Sequence, residues 1–142
     1  MRLFSVYGPH LRKQLLWDLC SRLQKGERTL VLGGTGAEVR DWIDVRDAVR
    51  LFATIAEAPQ REIFQVVNGG SGYGTTVADT AGMLVKNWGG NIAMRFSGLV
   101  RPGDPFSLLA ADTKMSELPF GCQIPFGRGL TEYVRWFKEQ AR

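Results

Sequence analysis

Histidine and cysteine are scarce in this chain, and their scarcity excludes several chemistries. The single histidine, His10, follows Pro9 in a loop and reads as a solvated side chain. That leaves out nucleophile triads and multi-histidine metal sites. The two cysteines, Cys20 and Cys122, lack the paired spacing of a zinc or redox motif, and two thiols do not make a disulfide scaffold, so a reducing, cytoplasmic setting is expected. No apolar stretch approaches the ~20 residues that span a bilayer, and no signal-like run opens the chain. Neither a membrane partner nor export is expected. Charge of one sign is also lacking: 18 Lys and Arg against 14 Asp and Glu leave a net +4. The basic residues, among them Arg12, Lys13, Arg22, Arg46, Arg61, Lys86, Arg95 and Arg135, are scattered rather than interleaved with aromatics on one strand face, so no nucleic-acid partner is expected. A diffuse positive field does suit a small anion such as a diphosphate.

The 142 residues, 44% apolar and 23% charged, are enough for one core, and residues 1–142 are taken as a single α/β domain. Residues 1–7 (MRLFSVY) read as a short buried strand stopped by Gly8-Pro9. Apolar positions at helical spacing over 11–24 predict an amphipathic helix closed by Lys25-Gly26. Residues 29–32 read as a strand, followed by the turn GGTG and a short extended piece at Trp42-Ile43. Asp44 has the character of an N-cap, with Asp47 at the favourable end of the dipole; Val45, Ala48, Val49, Phe52, Ile55 and Ala56 form the expected buried face, and Pro59 ends the helix. A strand is expected over 63–68. A helix capped by Thr76 with Asp79 then runs to about Trp88 before Gly89-Gly90, another strand covers 92–96, a loop-rich stretch covers 97–112, and a last helix covers 130–140.

The glycine-rich turn at 69–74 (GGSGYG) stands between a strand and a capped helix, where a dinucleotide-binding turn would stand. Thr75 occupies the third glycine position and no acidic residue closes a second strand about twenty residues later, so it reads as an ordinary turn. Carboxylate pairs Asp41/Asp44 and Asp44/Asp47 could act as acid and base, but capping already accounts for Asp44 and Asp47. Trp17, Trp88 and Trp136 fall on helices, as core or interface residues do. Two basic loop motifs remain, VRDW at 39–42 and RPGD at 101–104. Arg40 and Arg101 could each offer a guanidinium fork to phosphate, or could simply pair with Asp41 and Asp104.

The ordered set RLFSVYGP (2–9), GTGAEVRDWIDVRDAV (34–49), VVNGGSG (66–72), RPGD (101–104) and ADTKM (111–115) closely resembles the C-terminal part of the extended short-chain dehydrogenase/reductase family, the NAD-dependent nucleotide-sugar epimerases and dehydratases. The resemblance covers nearly the whole chain but well under half of a typical member. It implies a remnant of a Rossmann-type sheet joined to a nucleotide-sugar-binding subdomain. It further implies that Arg40 meets the diphosphate with Trp42 beside it, that Arg101 and Asp104 hold phosphate and ribose, that Gln14 and Leu15 line the base, and that the backbone of Leu30, Val31 and Leu32 faces it. Ser5 stands where many members have a ligand-touching asparagine.

The family's NAD-binding G-x-x-G-x-x-G turn and its Tyr-x-x-x-Lys pair do not occur in these residues: Tyr7, Tyr73 and Tyr133 are followed four residues on by Leu11, Val77 and Phe137. The expectation is a truncated protein that binds a nucleoside diphosphate or its sugar, holds no NAD and no metal by itself, and is catalytically inert alone. The alternatives are a subunit that completes an epimerase site with a separate NAD-binding chain, and a vestigial or assembly protein with an unused site. Strands left without neighbours also lead to an expected homodimer or higher oligomer.

Overall fold

The computed structural model describes residues 1–59, 66–100, 102–110 and 115–140. The opening segment forms two strands rather than one, β1 (Arg2–Leu3) and β2 (Ser5–Tyr7). The break at Phe4 arises because the two pieces take different partners, and only Tyr7 among them is fully buried; Leu3 is 42% exposed. Helix α1 (Gln14–Gln24) buries Leu16, Leu19, Cys20 and Leu23 and stops at Gly26, whose φ of +90° a side chain would resist. In β3 (Thr29–Leu32), alternation buries Leu30 and Leu32 and exposes Thr29 and Val31. Strand β4 (Val39–Asp44) is longer than the two residues expected and buried from Asp41 onward.

Helix α2 (Val45–Glu57) is capped as expected, the Asp44 carboxylate accepting the Arg46 N–H at 3.0 Å. Its buried face differs from the expected one. Asp47, Ala48 and Leu51 are inside, whereas Val49 and Phe52 are 62% and 51% exposed and Ala56 is exposed as well. The cause is polar. The buried Asp47 carboxylate accepts the N–H groups of Gln123 (3.1 Å) and Ile124 (3.0 Å) and pairs with Arg50 at 3.2 Å, which sets the roll of the helix against that segment. Of the strand expected over 63–68, residues 63–65 lie outside the described residues, and the pairing found is β5 (Asn68–Gly69).

Strand β6 (Gly74–Thr76) leads into α3 (Val77–Trp88), where Thr76 accepts the Asp79 N–H at 3.0 Å and Gly89 ends the helix at φ +83°. Strands β7 (Ala93–Phe96) and β8 (Ser107–Leu108), a 3-10 turn (Met115–Glu117) and α4 (Phe126–Gln140) complete the chain. Helix α4 begins four residues before the expected Leu130. There Gly129 allows close approach, since a Cβ would collide with the Tyr7 hydroxyl.

Strand β4 organises the sheet. Its second half pairs in parallel with β2 (Ser5 opposite Trp42, Tyr7 opposite Asp44). Its first half pairs with β6 antiparallel (Arg40 opposite Thr75) and with β8 parallel (Arg40 opposite Leu108). Strand β1 turns away to pair with β5, Arg2 opposite Asn68, and β3 pairs with β7 separately. The sheet therefore forks between β1 and the first half of β4. The main core, holding Tyr7, Trp42, Leu19, Leu30, Leu84, Leu130 and Phe137, gathers β3 with α1, α3 and α4; a smaller cluster joins Leu51 to Val67 and Met115. No described helix is long and apolar enough to cross a membrane.

The α2 faces give the first test. Leu51→Ala should cost about 2–5 kcal/mol in urea unfolding, as a core cavity does. Phe52→Ser should stay within about 0.5 kcal/mol. A larger loss at Phe52 than at Leu51 would contradict the orientation of the helix.

Candidate functional site

The fork opens into a cleft of about 780 Å³. One arm supplies Arg2, Leu3, Phe4 and Ser5, and the other supplies Arg40 and Trp42, with Leu108 beside them. Gln14 and Leu15 from the start of α1, Val77 from α3 and Asn68 from β5 close it. Five of the residues singled out in the sequence thus meet in one place: Ser5, Gln14, Leu15, Arg40 and Trp42. Leu30, Val31, Leu32 and Asp104 do not line it; Leu30 and Leu32 are core residues, Val31 gives its carbonyl to Arg22, and Asp104 is exposed. Arg101 lies outside the described residues. Arg2, Phe4, Asn68, Val77 and Leu108 belong to the cleft without having been singled out. The signal that could have found Arg2 is its place at the head of RLFSVYGP, but the departure of β1 from β4 is not written in local pattern.

Trp42 is held rigidly. Its indole N–H donates to Thr80 Oγ1 at 3.1 Å and its ring stacks on Phe126, centroids 5.6 Å apart and 6° from parallel. Gln14 carries a left-handed backbone, φ +65°, at the point where α1 begins at the cleft wall. Among the described residues the Arg40 guanidinium donates to two carbonyl oxygens, Val39 at 2.8 Å and Pro105 at 3.1 Å. It keeps its charge available because Asp41, the neighbour that could have neutralised it, is committed elsewhere. The fully buried Asp41 carboxylate accepts Ser71 N–H (2.6 Å), Ser71 O–H (2.7 Å), Gly72 N–H (3.0 Å) and Ala110 N–H (3.1 Å).

This arrangement explains the glycine-rich turn at 69–72. Its N–H groups form a concavity for an anion, and the anion is the chain's own carboxylate. Gly70 must be glycine because a Cβ would overlap an Asp41 carboxylate oxygen. The GGTG turn repeats the device. Glu38 accepts Thr35 N–H (2.8 Å), Thr35 O–H (3.0 Å) and Gly36 N–H (2.8 Å), and these bonds, the Thr35 N–H foremost, hold its carboxyl down at about 2. Both turns are thus filled from within.

The other candidate chemistries resolve into structure. Asp44 accepts the Arg46 N–H and guanidinium, and Asp47 is spent on Gln123, Ile124 and Arg50, so neither faces the cleft as acid or base. His10 packs its ring 5.4 Å from that of Trp136, and Trp17, Trp88 and Phe137 join the same aromatic cluster. Burial pushes the Cys20 thiol up to about 12, and burial with nearby Asp47 and Asp41 pushes Cys122 up to about 11, so neither is a poised nucleophile. Among the described residues no group of three His, Cys, Asp or Glu is placed to hold a metal.

Comparison with known proteins agrees with this architecture. Residues 1–70 match the NAD dependent epimerase/dehydratase family. A dTDP-glucose 4,6-dehydratase of Streptomyces niveus is 26% identical over 140 residues, 97% of this chain and 41% of that protein. The UDP-glucuronic acid 4-epimerase of Bacillus cereus, solved with UDP-glucuronic acid and NAD, superposes with a TM-score of 0.86 at 26% identity, over 98% of this chain and 44% of that one. The UDP-glucose 4-epimerase of Thermotoga maritima, solved with UDP-glucose, gives 0.81 at 26%, over 99% and 46%. The chain therefore spans less than half the length of these relatives and has the mixed α/β fold of the corresponding part of the epimerases.

Two measurements test the turns. Asp41→Ala leaves the turn's N–H groups and that of Ala110 without an acceptor and should cost roughly 3 kcal/mol, Gly70→Ala moving the denaturation midpoint the same way. Gly121→Ala, which meets nothing within 4 Å, should not. For Glu38 the folded-state value lies below the ordinary 4.5, so its contribution is complete above that pH and is lost as pH falls through about 2. The amide resonances of Thr35 and Gly36 should titrate with that low midpoint; a midpoint near 4.5 would mean that the carboxylate is not held.

Proposed function

We propose that this chain belongs to the nucleotide-sugar epimerases and dehydratases and forms their nucleotide-sugar-binding part, taking a nucleoside diphosphate or its sugar conjugate into the cleft at the fork. The observation that carries this reading is Arg40: a guanidinium in a cleft of ligand size, bonded among the described residues to carbonyl oxygens alone, with its neighbouring aspartate withdrawn into a buried turn. The likeness to enzymes solved with UDP-glucose and UDP-glucuronic acid supports the ligand class.

In this reading Arg40 grips the diphosphate, Trp42 fixes the floor, Gln14 and Leu15 border the base, and Ser5 meets the sugar. These residues hold neither the family's glycine turn for NAD nor a Tyr-x-x-x-Lys pair, so they bind and orient a ligand but have no group to take a hydride or move a hydroxyl proton. A second reading, in which the chain works against another polypeptide, either a copy of itself or an NAD-binding chain, is favoured by the exposed Val49 and Phe52 on α2 and Leu3 on β1.

Calorimetry with UDP, dTDP and UDP-glucose should show binding that weakens by about 10-fold or more in Arg40→Ala, the scale of one charge-assisted contact. No heat at millimolar ligand, or equal affinity in the variant, would overturn the reading. Incubation of the chain alone with NAD and UDP-glucose or UDP-glucuronic acid should give no product, and turnover above a buffer blank would remove the assignment of a binding role. Light scattering should report a dimer or larger species that Leu3→Lys dissociates; a monomer at tens of micromolar would count against assembly.

A further inference from the structure

Strands β2 and β6 flank β4 on opposite edges, and the cleft lies on the β2 side of Trp42. A second cavity, of about 300 Å³, adjoins Trp42 on the β6 side. It exists because the ladder between β6 and β4 ends at Gly74, opposite Asp41. Just before that point the chain turns the N–H groups of Ser71 and Gly72 onto the Asp41 carboxylate instead of running on beside Trp42. The stretch from Gln123 to Phe126 closes the far side. Asp47 holds it through the N–H groups of Gln123 and Ile124, and Phe126 stacks on Trp42. Both walls are thus fixed by buried carboxylates, so the cavity is formed before any ligand arrives.

The two walls differ in character. Trp42, Ile124, Pro125 and Phe126 supply apolar surface, whereas the 71–75 stretch supplies the hydroxyl side chains of Ser71, Tyr73 and Thr75, with the Cys122 thiol beside them. The Ser71 hydroxyl is occupied, donating to Asp41 at 2.7 Å and accepting the Tyr73 N–H at 3.2 Å. Among the described residues the hydroxyls of Tyr73 and Thr75 are engaged by no other group, and Tyr73 is 80% exposed. Burial, then the charges of Asp47 and Asp41, raises the Cys122 thiol to about 11 against the opposing pull of Arg50, so a further negative charge is unfavourable here.

We infer that this cavity is a second binding site, for one uncharged ring of the hexopyranose type. Such a ring has an apolar C–H face to lay against Phe126 and Ile124 and hydroxyls at its rim to meet Tyr73 and Thr75. The volume is at the lower end of ligand pockets and suits a single ring rather than a nucleotide. The site differs from the cleft in place and in charge, since Arg2 and Arg40 line the cleft, and it stands whether or not the cleft takes a nucleotide.

The full 142-residue chain, labelled with nitrogen-15, is titrated with methyl glucopyranoside and, in parallel, with cyclohexanol, a ring of similar size that lacks the rim of hydroxyls. The sugar should produce saturable amide shifts centred on Tyr73, Thr75 and Ile124, with half-saturation in the millimolar range. Tyr73→Phe and Thr75→Val, which delete one hydroxyl each, should weaken binding by about 3-fold or more, the scale of one neutral hydrogen bond. Alkylation of Cys122 by iodoacetamide should be slowed by saturating sugar; Cys122 is exposed and Cys20 is buried, so the reaction reports on this cavity. No saturable shift with sugar at hundreds of millimolar overturns the inference. So do shifts centred on Ser5 and Arg40, which would put the ring in the cleft, unchanged affinity in both variants, or cyclohexanol binding as tightly as the sugar. Titration with UDP followed on the same amides reads the cleft separately, so loss of one site leaves the other standing.

Discussion

The buried carboxylate of Asp41 is the interaction on which the rest of the molecule depends. It stands at the midpoint of β4, and its four acceptor bonds tie that strand to the turn at 69–72 and to Ala110 beyond β8. A carboxylate taken out of water is tolerable only with its lone pairs satisfied, so the turn, the glycine at position 70 and the path of the chain around Ala110 are fixed together. Because those elements hold the first half of β4, the strand cannot continue its ladder with β2, and the sheet opens where the cleft lies.

Electrostatics follow from the same economy of acids. Glu38, Asp41, Asp44 and Asp47 fall within ten residues of sequence around Arg40, a density that on paper promises ion pairs and a neutral surface. Each is turned onto backbone N–H groups, Glu38 and Asp41 into glycine turns, Asp44 onto the first turn of α2 and Asp47 onto Gln123 and Ile124, and where an arginine is also held it is Arg46 or Arg50 rather than Arg40. These bonds are stronger than exposed Arg-carboxylate pairs, which are worth only about 0–1 kcal/mol. Among the described residues, the arginines of the cleft are thereby left without a carboxylate partner.

Much of this was legible in the order of residues. Local rules decide α1, the caps of α2 and α3, the alternation of β3 and the glycine stops, because each depends on neighbours within a few positions: Asp44 reaches the N–H two residues on, and Thr76 the one three residues on. The resemblance carried by the motifs around Arg40 and Ser5 also located five of the cleft residues, since motif order survives where local pattern is ambiguous. What local rules missed was the buried side of α2. Apolar periodicity favoured Val49 and Phe52, but one charged residue, Asp47, sets the roll of the helix by bonding a segment 76 positions away.

The sequence by itself determined the four helices, the caps of α2 and α3 and the presence of an arginine beside an aspartate in a glycine-bordered strand. Only the tertiary structure decided whether that pair would neutralise itself. Both Asp41 and Arg40 have nearer and farther partners available, and the choice depends on burial: the turn at 69–72 and Ala110 close over Asp41 from about 30 and 69 residues away, leaving Arg40 on the open side. The same holds for Arg2, whose place in the cleft exists because β1 leaves β4 for β5, a choice of strand partner made between residues 66 positions apart. Such contacts carry no local signature, since what fixes them is the satisfaction of buried polar groups across the whole fold.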